Sequence, residues 1–128
     1  MAAVGPLVEH MLSSGAHGMY IAGGTGEMNA MNVAQRKVMA AESIKCIAGR
    51  VPAVVCVGQT DNIAEAVELA QHAKDCGADG ISATVPKWNT GDLDATVELY
   101  KAIGDVGLPF YAYWVEVRSC HEVVRAAR

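Results

Sequence analysis

Two hydrophobic periodicities alternate along the chain, and this alternation constrains the fold more than any other feature of the sequence. Short apolar runs rich in β-branched residues occur at residues 18–22, 53–57, 80–84 and 109–115. Stretches with helical spacing occur at residues 6–13, 32–48, 61–76 and 92–104. The short runs are hydrophobic almost without interruption, which is typical of strands that a parallel sheet buries on both faces. Strands that alternate with helices predict an α/β fold built from successive βα units with right-handed crossovers.

A weak internal repeat supports this interpretation. Residues 14–19 (SGAHGM) and 76–81 (CGADGI) each place a glycine at the end of a predicted helix and a second glycine three residues later, before a strand. The first glycine of each copy, Gly15 or Gly77, suits the left-handed conformation that ends many helices. The chain contains no linker and no low-complexity segment, so we expect one array of about four βα units.

Composition limits the classes of partner and the compartment. The 128 residues suffice for one core of ordinary size, and a content of 52% hydrophobic and 19% charged residues is typical of an ordered protein. Ten basic and fourteen acidic residues give a net charge of −4 without a basic cluster. We therefore expect no nucleic-acid partner and no attraction to membranes. The four cysteines form no CxxC pair and no signal peptide is recognisable, which favours free thiols and a cytoplasmic location.

A glycine-rich turn follows the first predicted strand. It reads Gly23-Gly24-Thr25-Gly26-Glu27, and we call residues 23–27 the glycine turn. Glycines allow the backbone to come close to a ligand, and N–H groups presented at the mouth of the next helix would suit an anion such as a carboxylate. In parallel βα architectures, the functional residues usually lie at the C-terminal ends of the strands. Besides the glycine turn, residues 58–62, 85–89 and 111–114 occupy such positions.

The order of these segments resembles one family. The glycine turn is followed by GRVPAVVCVG at residues 49–58, GADG at 77–80, Val85-Pro86, and LPFYAY at 108–113. This series resembles the dihydrodipicolinate synthase and N-acetylneuraminate lyase family, which consists of pyruvate-dependent class I aldolases on a (β/α)₈ TIM barrel. The resemblance implies a partial barrel. Residues 1–115 would form its N-terminal half, and residues 116–128 a divergent C-terminal tail.

The resemblance also implies roles for individual residues. Thr25 matches the threonine that holds the carboxylate of pyruvate, assisted by the backbone N–H groups of Gly24 and Gly26. Glu27 matches an acidic residue that braces the loop. Tyr113 matches the tyrosine that gives and takes the proton during catalysis, as a phenol can do. The implied ligand is a pyruvate-like 2-oxo acid. No metal and no cofactor are implied, because a lysine forms a Schiff base with the substrate.

Three departures from the family pattern leave alternatives open. Gly24 replaces a Ser or Thr, and Trp88 replaces a tyrosine that completes a proton relay. Trp88 is therefore expected to bind substrate, as in the hydratase-aldolase branch that acts on arylidene pyruvates. The Schiff-base lysine of the family would lie on the sixth barrel strand, beyond Arg128, so the chain is expected to be incomplete for catalysis. If the chain carries its own nucleophile, the candidate is Lys87, the one lysine at the end of a predicted strand. The alternative function is a catalytically silent subunit or interaction module, which would pair as a homo-oligomer or with a partner chain.

Overall fold

Four helices and four strands alternate in the structure, which is a computed structural model and describes residues 3–86 and 92–113. The helices are α1 (Val4–Ser13), α2 (Val33–Ile47), α3 (Ile63–Asp75) and α4 (Leu93–Gly104). The strands are β1 (Met19–Ile21), β2 (Ala53–Cys56), β3 (Gly80–Ala83) and β4 (Phe110–Ala112), and a short 3₁₀ turn lies at Met28–Ala30. Every predicted strand and helix is present within a few residues of its expected position.

The strands form one parallel sheet in the order β1-β2-β3-β4. Neighbouring strands are consecutive in the chain, as expected for βα units that follow one another around a barrel. The repeat has the predicted backbone, since Gly15 and Gly77 adopt φ values of +88° and +86° after α1 and α3. Asn32, Asn62 and Asp92 cap the next three helices by accepting N–H groups of the first turn. The predicted α/β class is confirmed.

The core lies between the helices and one face of the sheet. Alternate strand residues, among them Ile21, Val55, Ile81 and Ala83, point into this core and are less than 9% exposed. On β4 the core-facing residue is Phe110, whose ring meets that of Tyr100 edge to face with 5.2 Å between centroids. Because successive residues of a strand point to opposite faces, the residues between these core positions lie on the other face of the sheet.

The other face of the sheet, which we call the inner face, corrects one expectation. Its residues are Tyr20 on β1, Val54 and Cys56 on β2, Gly80 and Ser82 on β3, and Tyr111 and Tyr113 on and just after β4. The sequence predicts burial on both faces. This is confirmed for β3 and nearly so for β2, in which Val54 alone is half-buried. The tyrosines on the edge strands, Tyr20, Tyr111 and Tyr113, are instead 50–57% exposed. The physical reason is that the helices cover only the core face, so the edge strands β1 and β4 keep one side open.

A buried arginine holds the carboxyl end of β2. Arg36 on α2 is 4% exposed and donates from Nη2 to the carbonyl oxygen of Cys56 at 2.9 Å. Burial lowers the pKa of this guanidinium from its usual value, because desolvation disfavours the charged form. The contact ties α2 to the strand end that leads into the loop at Gln59. Among the described residues, no helix has both the length and the apolarity needed to cross a membrane.

Candidate active site

A cleft of about 730 Å³ opens at the carboxyl ends of the strands. It lies where parallel α/β folds place ligands, since the loops after all the strands converge there. Residues from all four βα units contribute to its wall. They are Tyr20, Gly23, Gly24, Thr25, Gly26, Met28, Cys56, Gln59, Thr84, Val85 and Tyr113.

The glycine turn forms one end of this cleft and is closed by its own backbone. The N–H of Glu27 donates to the carbonyl of Gly24 at 3.0 Å, and the N–H of Met28 donates to that of Gly23 at 3.3 Å. Ala22, just before the turn, and Glu27, its last residue, adopt left-handed φ values of +55° and +57°. Such values cost a non-glycine residue about 1–3 kcal/mol and concentrate at functional sites. The turn is therefore tight and strained at both ends.

The central N–H groups of the turn are available to a ligand. Within the two described ranges, no hydrogen bond uses the N–H of Gly24, Thr25 or Gly26. Successive free N–H groups in a tight turn form a concave anion site. One detail of the expected anion site is wrong, because the turn does not lead directly into a helix. The 3₁₀ turn at Met28–Ala30 intervenes, and Asn32 already caps the N-terminus of α2.

Tyr113 reaches the same cleft from β4. Its N–H donates to the carbonyl of Ala83 at 2.9 Å, which extends the parallel ladder by one residue beyond the strand. The side chain is 54% exposed and lines the cleft together with the glycine turn. Four of the predicted site residues, Gly24, Thr25, Gly26 and Tyr113, thus come together although up to 89 positions of sequence separate them. Their roles with substrate remain predictions.

Tyr20 is a cleft residue that sequence reasoning missed. Its phenol crosses over β2 and lies 3.0 Å from the hydroxyl of Ser82 on β3. Its ring covers Gly23 so closely that a Cβ on that glycine would lie 2.6 Å from ring atom Cε1. A side chain at position 23 would therefore clash with the ring of Tyr20. The only available signal was a phenol inside an otherwise apolar strand, next to the glycine turn.

Burial raises the pKa of Tyr20 to about 12, with a smaller opposing effect from the hydrogen bond to Ser82. Folding then favours the protonated phenol, so this stabilisation is complete below the unfolded-state pKa near 10 and disappears as the pH rises towards 12. We expect the difference in unfolding free energy between the wild type and Tyr20→Phe to stay constant below pH 10 and to fall above it. Denaturant titrations across this range measure the difference. Parallel curves for the two proteins would contradict the shift.

Gln59 and Thr84 form a second polar pair in the cleft wall. The amide Nε2 of Gln59 donates to Thr84 Oγ1 at 2.8 Å and to the carbonyl of Val85 at 3.2 Å. This pair joins the loops that follow β2 and β3. Both loops were recognised from the sequence as positions where strands end, but neither of these two residues was singled out.

Other predicted residues lie elsewhere. Trp88, Lys87 and the tail at residues 116–128 lie outside the described residues. Of the lysines that the structure describes, none lines the cleft. Lys37 pairs with Glu68, and Lys74 donates to the carbonyl of Val106 at 2.6 Å, so both act between helices or at helix ends.

Comparison with known proteins identifies the family. A model of the dihydrodipicolinate synthetase family matches residues 1–125. The 4-hydroxy-tetrahydrodipicolinate synthase of Desulfotalea psychrophila is 33% identical over 114 residues, which cover 88% of this chain and 38% of that enzyme. The chain thus spans about two fifths of the length of the curated relatives it matches.

Solved structures agree with this assignment. The E. coli K12 prophage protein YagE, crystallised in complex with pyruvate, matches with a TM-score of 0.80 and 29% identity over 85% of this chain and 37% of its own. N-acetylneuraminate lyase from Mycoplasma synoviae matches with a TM-score of 0.85 and 28% identity over 97% of this chain and 43% of its own. Four parallel βα units matching about two fifths of such chains confirm the predicted partial barrel. The chain is therefore a member of the dihydrodipicolinate synthetase family, with the synthases and N-acetylneuraminate lyases as its structural neighbours.

Proposed function

We propose that this chain supplies the carboxylate-binding and proton-handling part of a pyruvate-dependent aldolase, which forms or cleaves C–C bonds of 2-oxo acids through a Schiff base. The observation that carries the proposal is the single cleft in which the free N–H groups of the glycine turn face the same space as the phenol of Tyr113. The pyruvate held by the similar protein YagE supports a ligand of this class.

The glycine turn would hold the ligand by its carboxylate. The N–H groups of Gly24, Thr25 and Gly26 can donate, and the exposed hydroxyl of Thr25 adds a side-chain donor beside them. Hydrogen bonds to an ionised group are shorter and about twice as strong as neutral ones. A 2-oxo acid would therefore bind with its carboxylate at the turn and its carbonyl carbon towards the inner face of the sheet.

Tyr113 would move the proton at the reacting carbons. In aldol cleavage, a base removes the proton of the hydroxyl group, the bond between the two carbons breaks, and the aldehyde leaves. The electron pair of the broken bond remains on the enamine, which then takes up a proton. A phenol can serve in both directions because it donates and accepts. Because Tyr113 and the glycine turn line the same cleft, a substrate held by the turn would lie within the space that the phenol also borders.

The covalent step needs a lysine amine, and the described wall of the cleft contains none. We therefore propose that the described residues of the cleft bind the 2-oxo acid without a covalent bond, and that the Schiff-base lysine is not one of them. Chemistry on arylidene pyruvates depends on Trp88, which lies outside the described residues, and stays a prediction.

Calorimetric titration with pyruvate tests the proposed function, with methyl pyruvate as the matched ligand. The ester keeps the carbonyl and the size but removes the negative charge that the glycine turn is proposed to hold. We expect pyruvate to bind at least about tenfold more tightly than the ester, since a hydrogen bond to a charged group contributes about 1.5–3 kcal/mol. Equal affinity for the two ligands, or no binding of pyruvate, would refute the proposal.

A second candidate function is that of an interaction module. The exposed tyrosines of the inner face favour it, and so do the edge strands β1 and β4, which each pair with one strand among the described residues. Open edges and apolar patches are liabilities that proteins usually cover. This function requires a partner on the inner face and no turnover by the chain itself.

Light scattering after size exclusion checks the interaction module. We expect a mass of at least twice the 13.4 kDa of one chain, because pairing would cover the inner face and the sheet edges. A non-aggregating monomer at micromolar concentration would count against self-association. The exposed tyrosines would then be explained better as part of the aldolase cleft than as an interaction surface.

A further inference from the structure

Tyr20 reaches across the inner face from the edge of the sheet. It lies on β1, and its phenol passes over β2 to the hydroxyl of Ser82 on β3, 3.0 Å away. Ser82 is only 1% exposed, so water does not compete for this contact. The thiol of Cys56 is a second partner of the phenol, but a thiol is a weak donor and a weak acceptor. The hydrogen bond to Ser82 therefore fixes the position of the Tyr20 ring.

The ring that is fixed in this way lies against the first residue of the glycine turn. A Cβ on Gly23 would lie 2.6 Å from Cε1 and 2.8 Å from Cδ1 of Tyr20. Ala22, which precedes Gly23, has the left-handed φ of +55°. Such a conformation persists only where the surrounding structure holds it. The ring of Tyr20 is part of that surrounding structure.

Gly23 is also the residue on which the turn closes. Its carbonyl accepts the N–H of Met28 at 3.3 Å, and the carbonyl of Gly24 accepts the N–H of Glu27 at 3.0 Å. A Cβ on Gly26 would lie 3.3 Å from the nitrogen of Gly23, so the far side of the turn approaches the same residue. A displacement of Gly23 would therefore change the directions of the free N–H groups in the turn.

We infer that Tyr20 is a positioning residue, held in place by Ser82, which keeps the free N–H groups of the glycine turn directed at the carboxylate of the ligand. The inference rests on the proposed function, which supplies that carboxylate. A site that is ordered before the ligand arrives binds more tightly, because less ordering is needed on binding. Ser82 is buried and is not among the described residues that line the cleft, so its effect on binding is expected to act through Tyr20.

Ser82→Ala tests the inference, and Ser43→Ala is its matched control. Ser43 is a buried serine on α2 whose hydroxyl donates to Met39 Sδ at 3.8 Å, and it is not a cleft residue. We expect Ser82→Ala to weaken pyruvate binding about threefold to tenfold in calorimetry, which corresponds to the loss of one neutral hydrogen bond. The affinity for methyl pyruvate should change less, because the ester lacks the charge that the turn holds. Ser43→Ala should leave both affinities unchanged.

The double variant Tyr20→Phe/Ser82→Ala separates positioning from stability. Tyr20→Phe alone leaves the buried hydroxyl of Ser82 without its phenol partner and should destabilise the fold. The double variant removes both polar groups and should recover most of the lost stability. Its pyruvate affinity should nevertheless stay as low as in the single variants, because the hydrogen bond that positions the ring is absent in all three. If the affinity recovers together with the stability, the inference is wrong.

Amide hydrogen exchange in the ligand-free chain gives a second readout. The N–H groups of Glu27 and Met28, which close the turn, should exchange several-fold faster in Ser82→Ala than in the wild type or in Ser43→Ala. Unchanged exchange, or unchanged pyruvate affinity in Ser82→Ala, would overturn the inference and leave the proposed function in place. If the wild type does not bind pyruvate, both are overturned.

Discussion

Thr25→Val is expected to weaken pyruvate binding about 10- to 100-fold without changing the stability of the fold. The side chain is exposed at the centre of the glycine turn, where a valine of the same shape replaces the hydroxyl by a methyl group. The loss corresponds to one hydrogen bond to a charged group, about 1.5–3 kcal/mol. Isothermal calorimetry measures the change directly.

Thr25→Ser is the matched control for that substitution. It keeps the hydroxyl and should retain pyruvate affinity to within a few-fold, whereas the affinity for methyl pyruvate should hardly change in either variant. If valine and serine weaken binding to the same extent, the hydroxyl of Thr25 is not a ligand contact, and the backbone N–H groups alone would carry the carboxylate.

Gly58→Ala is expected to destabilise the protein by about 2–3 kcal/mol. Gly58 is buried where β2 leads into the loop at Gln59. A Cβ there would lie 2.8 Å from the backbone nitrogen of Thr84 and 3.1 Å from Cα of Ala83. These are backbone atoms of the neighbouring strand, so relief requires the two strand ends to move apart, and overpacking of this kind typically costs about 1–3 kcal/mol. Urea unfolding measures the loss.

Gly24→Ala is the control for Gly58→Ala. A Cβ on Gly24 meets no atom within 4 Å, and its φ is not in the left-handed region. We therefore expect no loss of stability, and a gain of up to about 1 kcal/mol from reduced freedom of the unfolded chain. If both alanines destabilise the protein equally, the close approach of β2 and β3 at Gly58 is not the cause of the lost stability.

The sequence predicted the fold well because each βα unit carries its own local signals. Apolar residues at helical spacing indicate the helices, Gly15 and Gly77 mark two helix ends, and the short apolar runs match the four strands. The residues of the glycine turn were also identifiable, since glycines next to a strand end are visible in any sequence. The exposure of Tyr20, Tyr111 and Tyr113 was not, because hydrophobic runs do not reveal whether one face of an edge strand lacks a cover.

The parts of the site that the sequence did not reveal depend on contacts across strands. Tyr20 meets Ser82 over a separation of 62 residues, and nothing in either strand points to the other. Gln59 has a left-handed backbone conformation, which glycine adopts most easily, so its residue type did not indicate a turn at this position. Its partner Thr84 resembles any β-branched residue at a strand end. Only the register of the sheet brings these pairs together.

The most direct test of the central claim is a pyruvate titration of the ¹⁵N-labelled chain followed by amide chemical shifts. We expect the largest changes at the N–H groups of Gly24, Thr25 and Gly26, with smaller ones at Tyr113, because a bound carboxylate accepts from the turn and places the ligand beside the phenol. Saturating shifts confined to these residues would place a 2-oxo acid in the cleft. Shifts that leave the glycine turn unaffected, or no shifts at all, would contradict the assignment of this cleft as a carboxylate-binding site.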